Sequence, residues 1–213
     1  MSPRTIIFDF DGTLFDSQVG IKNALRYALR HFGIDEEDDE LLTSFIGPPL
    51  SRSFGHYGFT PEQVEEAIRT LRVYYREQGY AETSMYDGVS DLLRDLHAAG
   101  HRLAIATAKP TLFARRILED HAHDHYFRPV CGSGMEGDLL PKDVTIGQVL
   151  DHHRSEPTET VMIGDTIYDL KGASTCGIPS IAVTYGYGRE DDLRACGPAH
   201  VAHTVDDLRS VLL

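Results

Sequence analysis

The chain has 213 residues, 41% of them hydrophobic and 25% charged. That ordinary usage excludes a disordered, collagenous or coiled-coil protein and suits one domain, or one with a smaller insert. Its 20 basic and 33 acidic residues leave a formal net charge of −13, which opposes binding to a nucleic acid polymer, where basic patches must meet the phosphate backbone.

Residues 1–8 read as the approach to a first strand rather than a secretory signal, because one basic residue precedes a short apolar run broken at Asp9. The strand covers 5–10 and ends in a glycine turn. Ile21, Leu25, Ala28, Leu29 and Phe32 then recur at helical spacing, with Gly33 placed to stop the helix. The acidic run 35–40 predicts a solvated loop and helix start. Thr60-Pro61-Glu62 opens a further helix, with Val64, Ala67, Ile68 and Leu71 on one face and Gly79 at its end. Residues 15–85 thus read as all-helical. No apolar run along the chain approaches the ~20 residues of a membrane helix. Three scattered cysteines, Cys131, Cys176 and Cys196, make no disulfide framework and suit a reducing cytoplasm.

Beyond residue 85 the pattern alternates. Val89, Leu92, Leu93 and Leu96 make a helix ended by Gly100. Strands follow at 102–106, 128–132, 160–163 and 180–183, with a last short one at 200–203. Helices at 111–120, 143–153, 168–176 and 205–212 lie between and after them. This alternation predicts an α/β fold, a doubly wound parallel sheet. The helical block reads as an inserted cap domain over 15–85, with 1–14 and 86–213 forming the core.

In such sheets ligands bind beyond the C-terminal ends of the strands. After the first strand, Asp9 and Asp11 stand two residues apart in Asp-Phe-Asp-Gly-Thr. Extended chain puts both on one face. Two close carboxylates call for a cation or a shared proton, and Mg²⁺ suits few oxygen ligands; alone, the pair also fits a turn with two solvated acids. Thr107 ends the next core strand ahead of Ala108, with the free N–H groups of a following helix, which makes either a phosphate cradle or an ordinary N-cap. Lys142 precedes a helix, where it could neutralise a carboxylate or a phosphate, or simply be solvated. Gly164-Asp165 ends a further strand, with Asp169 four residues on; the two acids make a second metal-binding pair or a helix cap. Together these segments hold four carboxylates, a hydroxyl and a cation, the equipment for Mg²⁺-assisted phosphoryl transfer to a carboxylate.

In this order the four segments resemble the motifs of the haloacid dehalogenase superfamily, and specifically its phosphatases. Asp9–Thr13, Thr107, Lys142 and Gly164–Asp169 match the first to fourth motifs, and the resemblance covers the whole chain. It is similar to the phosphoglycolate phosphatase-like group and, through Phe45–Phe54, Ala106–Pro110 and Tyr185-Gly186-Tyr187-Gly188, to 5′-nucleotidase-like members. Ala108 departs from the Ser or Asn common there, although only its amide need meet phosphate. The resemblance implies that Asp9 is the nucleophile and a Mg²⁺ ligand, and that Asp11 protonates the leaving oxygen and then activates water. Asp11 would also offer the metal its main-chain carbonyl. Thr107 and the Ala108 amide would hold phosphate oxygens. Lys142 would offset negative charge, and Asp165 would bind the metal with Asp169 in support. The second acid separates phosphatases from dehalogenases, which have no alcohol to protonate. Cap residues meet the leaving group in this family; Arg52, the basic residue of the Gly-Pro-Pro segment, could bind an anionic group there, with Lys22 and Arg26 of the first cap helix as alternatives and a solvated surface charge as the other reading of each. The implied protein is a cytoplasmic, Mg²⁺-dependent phosphomonoesterase acting on a small phosphate ester, of phosphoglycolate or nucleoside 5′-monophosphate type. It would work as a monomer or homodimer, away from membranes. A phosphomutase and a non-catalytic binding protein on the same fold are the rival readings.

Overall fold

Strand β1 (Thr5–Phe8) is apolar after its first residue and wholly buried, as the middle of a parallel sheet covered on both faces requires. The computed structural model describes residues 5–136 and 139–213. The reading of residues 1–4 therefore lies outside the described residues, as do residues 137 and 138 ahead of Lys142.

After β1 come β2 (Phe15–Asp16), α1 (Gln18–His31), α2 (Asp39–Ser44), α3 (Leu50–Gly55), α4 (Pro61–Glu77) and β3 (Ser84–Met85). The alternating part follows as α5 (Val89–Ala98), β4 (Arg102–Pro110), α6 (Thr111–Asp120), β5 (Phe127–Ser133), α7 (Lys142–His153) and β6 (Thr160–Gly164). It ends with α8 (Ile167–Thr175), β7 (Ser180–Val183), α9 (Glu190–Ala195), β8 (His200–Ala202) and α10 (Val205–Leu212).

Six strands form one sheet in the order β5-β4-β1-β6-β7-β8, and its ladders are parallel. The expected doubly wound α/β sheet is thus the observed fold. Alternate residues of β1 face opposite sides. Ile6 and Phe8 join Leu92, Leu96, Ile117 and Leu208 in one buried cluster, whereas Ile7 joins Ile146, Val149, Met162 and Ala173 in another. The chain leaves β1 toward β4 and β5, then returns to its other side with β6. This reversal is the switch point at which open α/β sheets bind ligands.

The helical segment builds a core of its own from Leu25, Leu29, Leu42, Phe54, Ile68 and Leu71, joined by Phe113 of α6. Thr60 and Gln63 form a capping box at the start of α4, with Pro61 at its first position, a combination that fixes where a helix begins.

Three local differences from the sequence reading have physical causes. The stretch read as all-helical is flanked by β2 and β3, which pair antiparallel through Phe15 with Met85 and Asp16 with Ser84; two-residue strands are too short to show a period. Strand β4 runs on to Pro110 because Pro110 pairs with Ser133 after a register shift. Helix α7 begins at Lys142 itself, so this lysine sits on the first turn rather than before it.

Candidate active site

The ends of β1, β4 and β6 lie side by side in the sheet, and each carries the next residues into one place. Asp9 follows β1, with its amide bonded to the Ile163 carbonyl at 2.8 Å. The turn after it depends on Gly12, whose φ of +84° suits glycine and whose added Cβ would lie 2.2 Å from an Asp165 carboxylate oxygen. Asp165 therefore packs directly against the turn that carries Asp11. Its two oxygens accept from the Thr13 hydroxyl at 3.2 Å and the Tyr187 amide at 2.8 Å.

Lys142 reaches in from α7. Its ammonium stands 2.7 Å from Asp9 Oδ1 and 2.8 Å from Asp169 Oδ1, and it donates to the Ala106 carbonyl at 3.2 Å. Lys142 is thus ion-paired with two buried carboxylates and hydrogen-bonded to one main-chain carbonyl. Asp169 does two jobs at once. Its Oδ2 accepts from the Thr166 amide and hydroxyl at 2.9 and 2.8 Å, closing the capping box of α8, while Oδ1 faces Lys142. Asp169 thus caps α8, as one of its two readings had it, and also faces Lys142.

One oxygen from each of Asp9, Asp165 and Asp169 lies within 4.8 Å of the others, and all three residues are buried. Three carboxylates here share one ammonium. Burial first, then the charge of Asp169, pushes Asp9 up to about 7 against the pull of Lys142. Burial first, then Asp169 and Asp9, holds Asp165 well above the usual carboxylate range. The cluster is short of positive charge and offers only hard oxygen donors. A divalent cation of the Mg²⁺ type fits that donor set.

Asp11 is turned to different partners. Its Oδ1 accepts from the Ser17 hydroxyl and lies 2.7 Å from the Lys109 ammonium. Thr107 is buried, and its hydroxyl accepts from the Lys109 amide at 3.1 Å. Asp9, Asp11, Thr107, Ala108, Lys109 and Lys142 all border one cavity of about 400 Å³, within the range of small-molecule sites. Much of the remaining wall is apolar, with Ile21, Phe45, Ile46, Leu50, Leu71 and Phe113 among its residues.

Arg52 does not border that cavity. It borders an adjoining cleft, where its guanidinium donates to the Tyr168 hydroxyl at 3.2 Å. Lys109, Tyr75, Ser17 and Tyr187 were given no role from the sequence, yet each touches or borders the site. Tyr187 had a signal in its Tyr-Gly-Tyr-Gly setting. A Cβ on Gly186 would stand 2.3 Å from the Gly12 carbonyl oxygen, and one on Gly188 would stand 2.0 Å from the Asp165 carbonyl oxygen. Glycine is needed there for close approach.

Residues 6–183 match the family model described as haloacid dehalogenase-like hydrolase. The chain belongs to this family. A 5′-nucleotidase of Pseudomonas aeruginosa is 41% identical over 208 residues, covering 97% of this chain and 94% of that protein. A Mycobacterium tuberculosis protein named tyrosine-protein kinase PtkA is 38% identical over 213 residues, covering 99% of this chain and 73% of that protein. The crystal structure of a "predicted phosphatase" from Clostridium acetobutylicum superposes with a TM-score of 0.94 at 37% identity, covering 99% of this chain and 98% of that one. The expected family, its α/β fold and an enzyme of the phosphatase class are thereby borne out. Among the described residues no helix is long and apolar enough to cross a membrane.

Proposed function

We propose that this haloacid dehalogenase-like hydrolase cleaves small phosphomonoesters in two half-reactions at Asp9. The observation that carries the reading is the buried Asp9, held through one oxygen by Lys142 at 2.7 Å, with a second acid, Asp11, bordering the same cavity. The other oxygen of Asp9 attacks phosphorus, and the ester P–O bond breaks. Asp11 gives its proton to the departing alcohol oxygen. Asp11, now ionised, takes a proton from water as that water attacks the aspartyl-phosphate, releasing inorganic phosphate and restoring Asp9. Lys142, the Thr107 hydroxyl and the Ala108 amide stand against the charge that builds on the phosphoryl oxygens, the dominant form of stabilisation for such transfers. Asp9 and Asp165, supported by Asp169 and by the Asp11 main-chain carbonyl, would hold Mg²⁺, which supplies positive charge to the phosphoryl oxygens when bound.

Residues 15–85 act in this reading as a cap that admits substrate and excludes water. Their apolar contribution to the cavity (Ile21, Phe45, Ile46, Leu50 and Leu71) favours a planar or apolar leaving group. A nucleoside 5′-monophosphate suits this wall better than phosphoglycolate, whose leaving group is a two-carbon carboxylate.

The test is phosphate release from nucleoside 5′-monophosphates, phosphoglycolate, sugar phosphates and an aryl phosphate, with Mg²⁺ or with EDTA. Metal-dependent release, strongest on nucleotide or aryl esters and lost in Asp9→Asn, is expected. Phosphoglycolate as the best substrate would overturn the substrate class. No release from any ester would overturn the hydrolase reading in favour of a mutase or a binding protein.

A further inference from the structure

The site holds a second buried lysine. Lys142 already serves Asp9 and Asp169. Lys109, near the end of β4, is 6% exposed and, among the carboxylates of the described residues, turns to Asp11. Its ammonium lies 2.7 Å from Asp11 Oδ1 and 2.5 Å from the Tyr75 hydroxyl. It also sits 4.7 Å from the centre of the Tyr75 ring and 5.4 Å from that of Phe10, within reach of cation–π attraction. Burial opposes charge on Lys109, but Asp11 and Tyr75 outweigh it and raise its pKa.

Tyr75 belongs to the helical segment. It lies on α4, one turn beyond Leu71, and its ring meets Phe113 edge-on at 5.0 Å. Ser17, the other donor to Asp11 Oδ1, stands directly before α1. Both groups that grip this oxygen are therefore tied to the helical segment, Ser17 through the chain and Lys109 through Tyr75. With Oδ1 so held, Oδ2 is the oxygen left to face the leaving group.

We propose that Lys109 is a positioning residue that couples the seating of α4 to the placement of Asp11, with Tyr75 as the link. When α4 lies over the cavity, Tyr75 holds the Lys109 ammonium, and Lys109 with Ser17 fixes the Asp11 side chain in one orientation. When α4 moves away, the Tyr75 contact breaks and one of the two clamps on Asp11 loosens. The acid is thus in place only when the leaving group is enclosed. This inference rests on the acid role given to Asp11 above.

The experiment compares kcat/KM for an alkyl phosphate, whose alkoxide must be protonated as it leaves, with kcat/KM for para-nitrophenyl phosphate, whose phenolate need not be. Because kcat/KM reports steps only through alcohol release, breakdown of the aspartyl-phosphate does not mask the comparison. The variants are Lys109→Met, Lys109→Arg, Tyr75→Phe and, as the reference, Asp11→Asn.

Lys109→Met is expected to lose about tenfold or more in kcat/KM on the alkyl ester relative to the aryl ester, since a well-placed general acid contributes 10²–10⁴-fold. Tyr75→Phe should show the same bias to a smaller degree. Lys109→Arg should recover part of the alkyl activity. Equal losses on both esters in Lys109→Met and Tyr75→Phe would mark a merely structural pair and overturn the inference. A selective loss in Asp11→Asn with none in Lys109→Met would overturn it while sparing the role of Asp11. No selective loss in Asp11→Asn would remove that role and this inference with it.

Discussion

The Lys142 ammonium lies 2.7 Å from Asp9, and the lysine is anchored by α7 while the aspartate is carried by β1. The contact crosses between elements far apart in sequence, so neither residue can be changed without leaving the other buried and mismatched.

For Asp9 the consequence is chemical. Asp9→Asn keeps the shape but removes the anionic oxygen proposed to attack phosphorus, and turnover should fall by more than about a thousandfold, as losses of catalytic nucleophiles do. Steady-state phosphate release checks it; activity above a few per cent of the parent would remove Asp9 from the role of nucleophile.

For Lys142 the consequence is also structural. Lys142→Met leaves Asp9 and Asp169 buried together with no cation between them, a change that typically costs about 3–5 kcal/mol when one partner of a buried pair is lost. Chemical denaturation in EDTA near neutral pH should show that loss, and it should shrink near pH 5, where Asp9, raised to about 7, is protonated and no longer an unpaired charge. A variant as stable as the parent at both pH values would contradict the pairing.

The acidic trio sets a pH dependence for metal binding. Asp9 is raised from an ordinary 3.8 to about 7 by burial and by Asp169, and Asp165 is raised by burial and by its two acidic neighbours. An acid raised on folding binds more protons in the folded state. Its contribution is therefore full below its ordinary value and is lost as pH rises through the folded one. Without metal, this site should weaken the fold progressively between about pH 4 and 7. In the proposed reading Mg²⁺ competes with protons for Asp9 and Asp165, so the rise in melting temperature it produces should be larger near pH 8 than near pH 5, and Asp165→Asn should remove most of that rise. Thermal melts with and without Mg²⁺ check this without reference to turnover; equal rises at both pH values would count against the trio as the metal site.

Asp9 and Asp165 were legible because each directly follows a strand whose apolar run shows plainly, and Thr107 because it closes the apolar run of β4; the C-terminal ends of these neighbouring parallel strands lie side by side. Lys109 stood in plain view, one residue past Ala108, but its partners Asp11 and Tyr75 lie 98 and 34 residues away. No local pattern encodes such a meeting. Arg52 drew notice as the basic residue of the Gly-Pro-Pro segment, yet helix α3 carries it to the Tyr168 hydroxyl beside the cavity rather than to the cavity wall. Charge and position in sequence said nothing about which way a six-residue helix would turn it.

Gly186 offers the sharpest steric test of the site. It holds no chemistry, but a Cβ there would stand 2.3 Å from the Gly12 carbonyl oxygen and 2.4 Å from the Asp165 Cβ. Neither neighbour is the free end of a flexible side chain, so backbone must move. The Gly12 turn carries Asp11, and Asp165 is one of the three clustered acids; both are displaced together. Gly186→Ala should therefore weaken Mg²⁺ binding and turnover while the sheet itself remains folded. Gly147 is the contrast, because its position inside α7 has open space where a Cβ would go. Gly147→Ala should stabilise the protein by about 0.5–1 kcal/mol through helix propensity alone. Isothermal titration with Mg²⁺ and thermal melts on the two variants check the pair. Undiminished Mg²⁺ affinity in Gly186→Ala would mean that the Tyr-Gly-Tyr-Gly loop does not hold Asp165 in place.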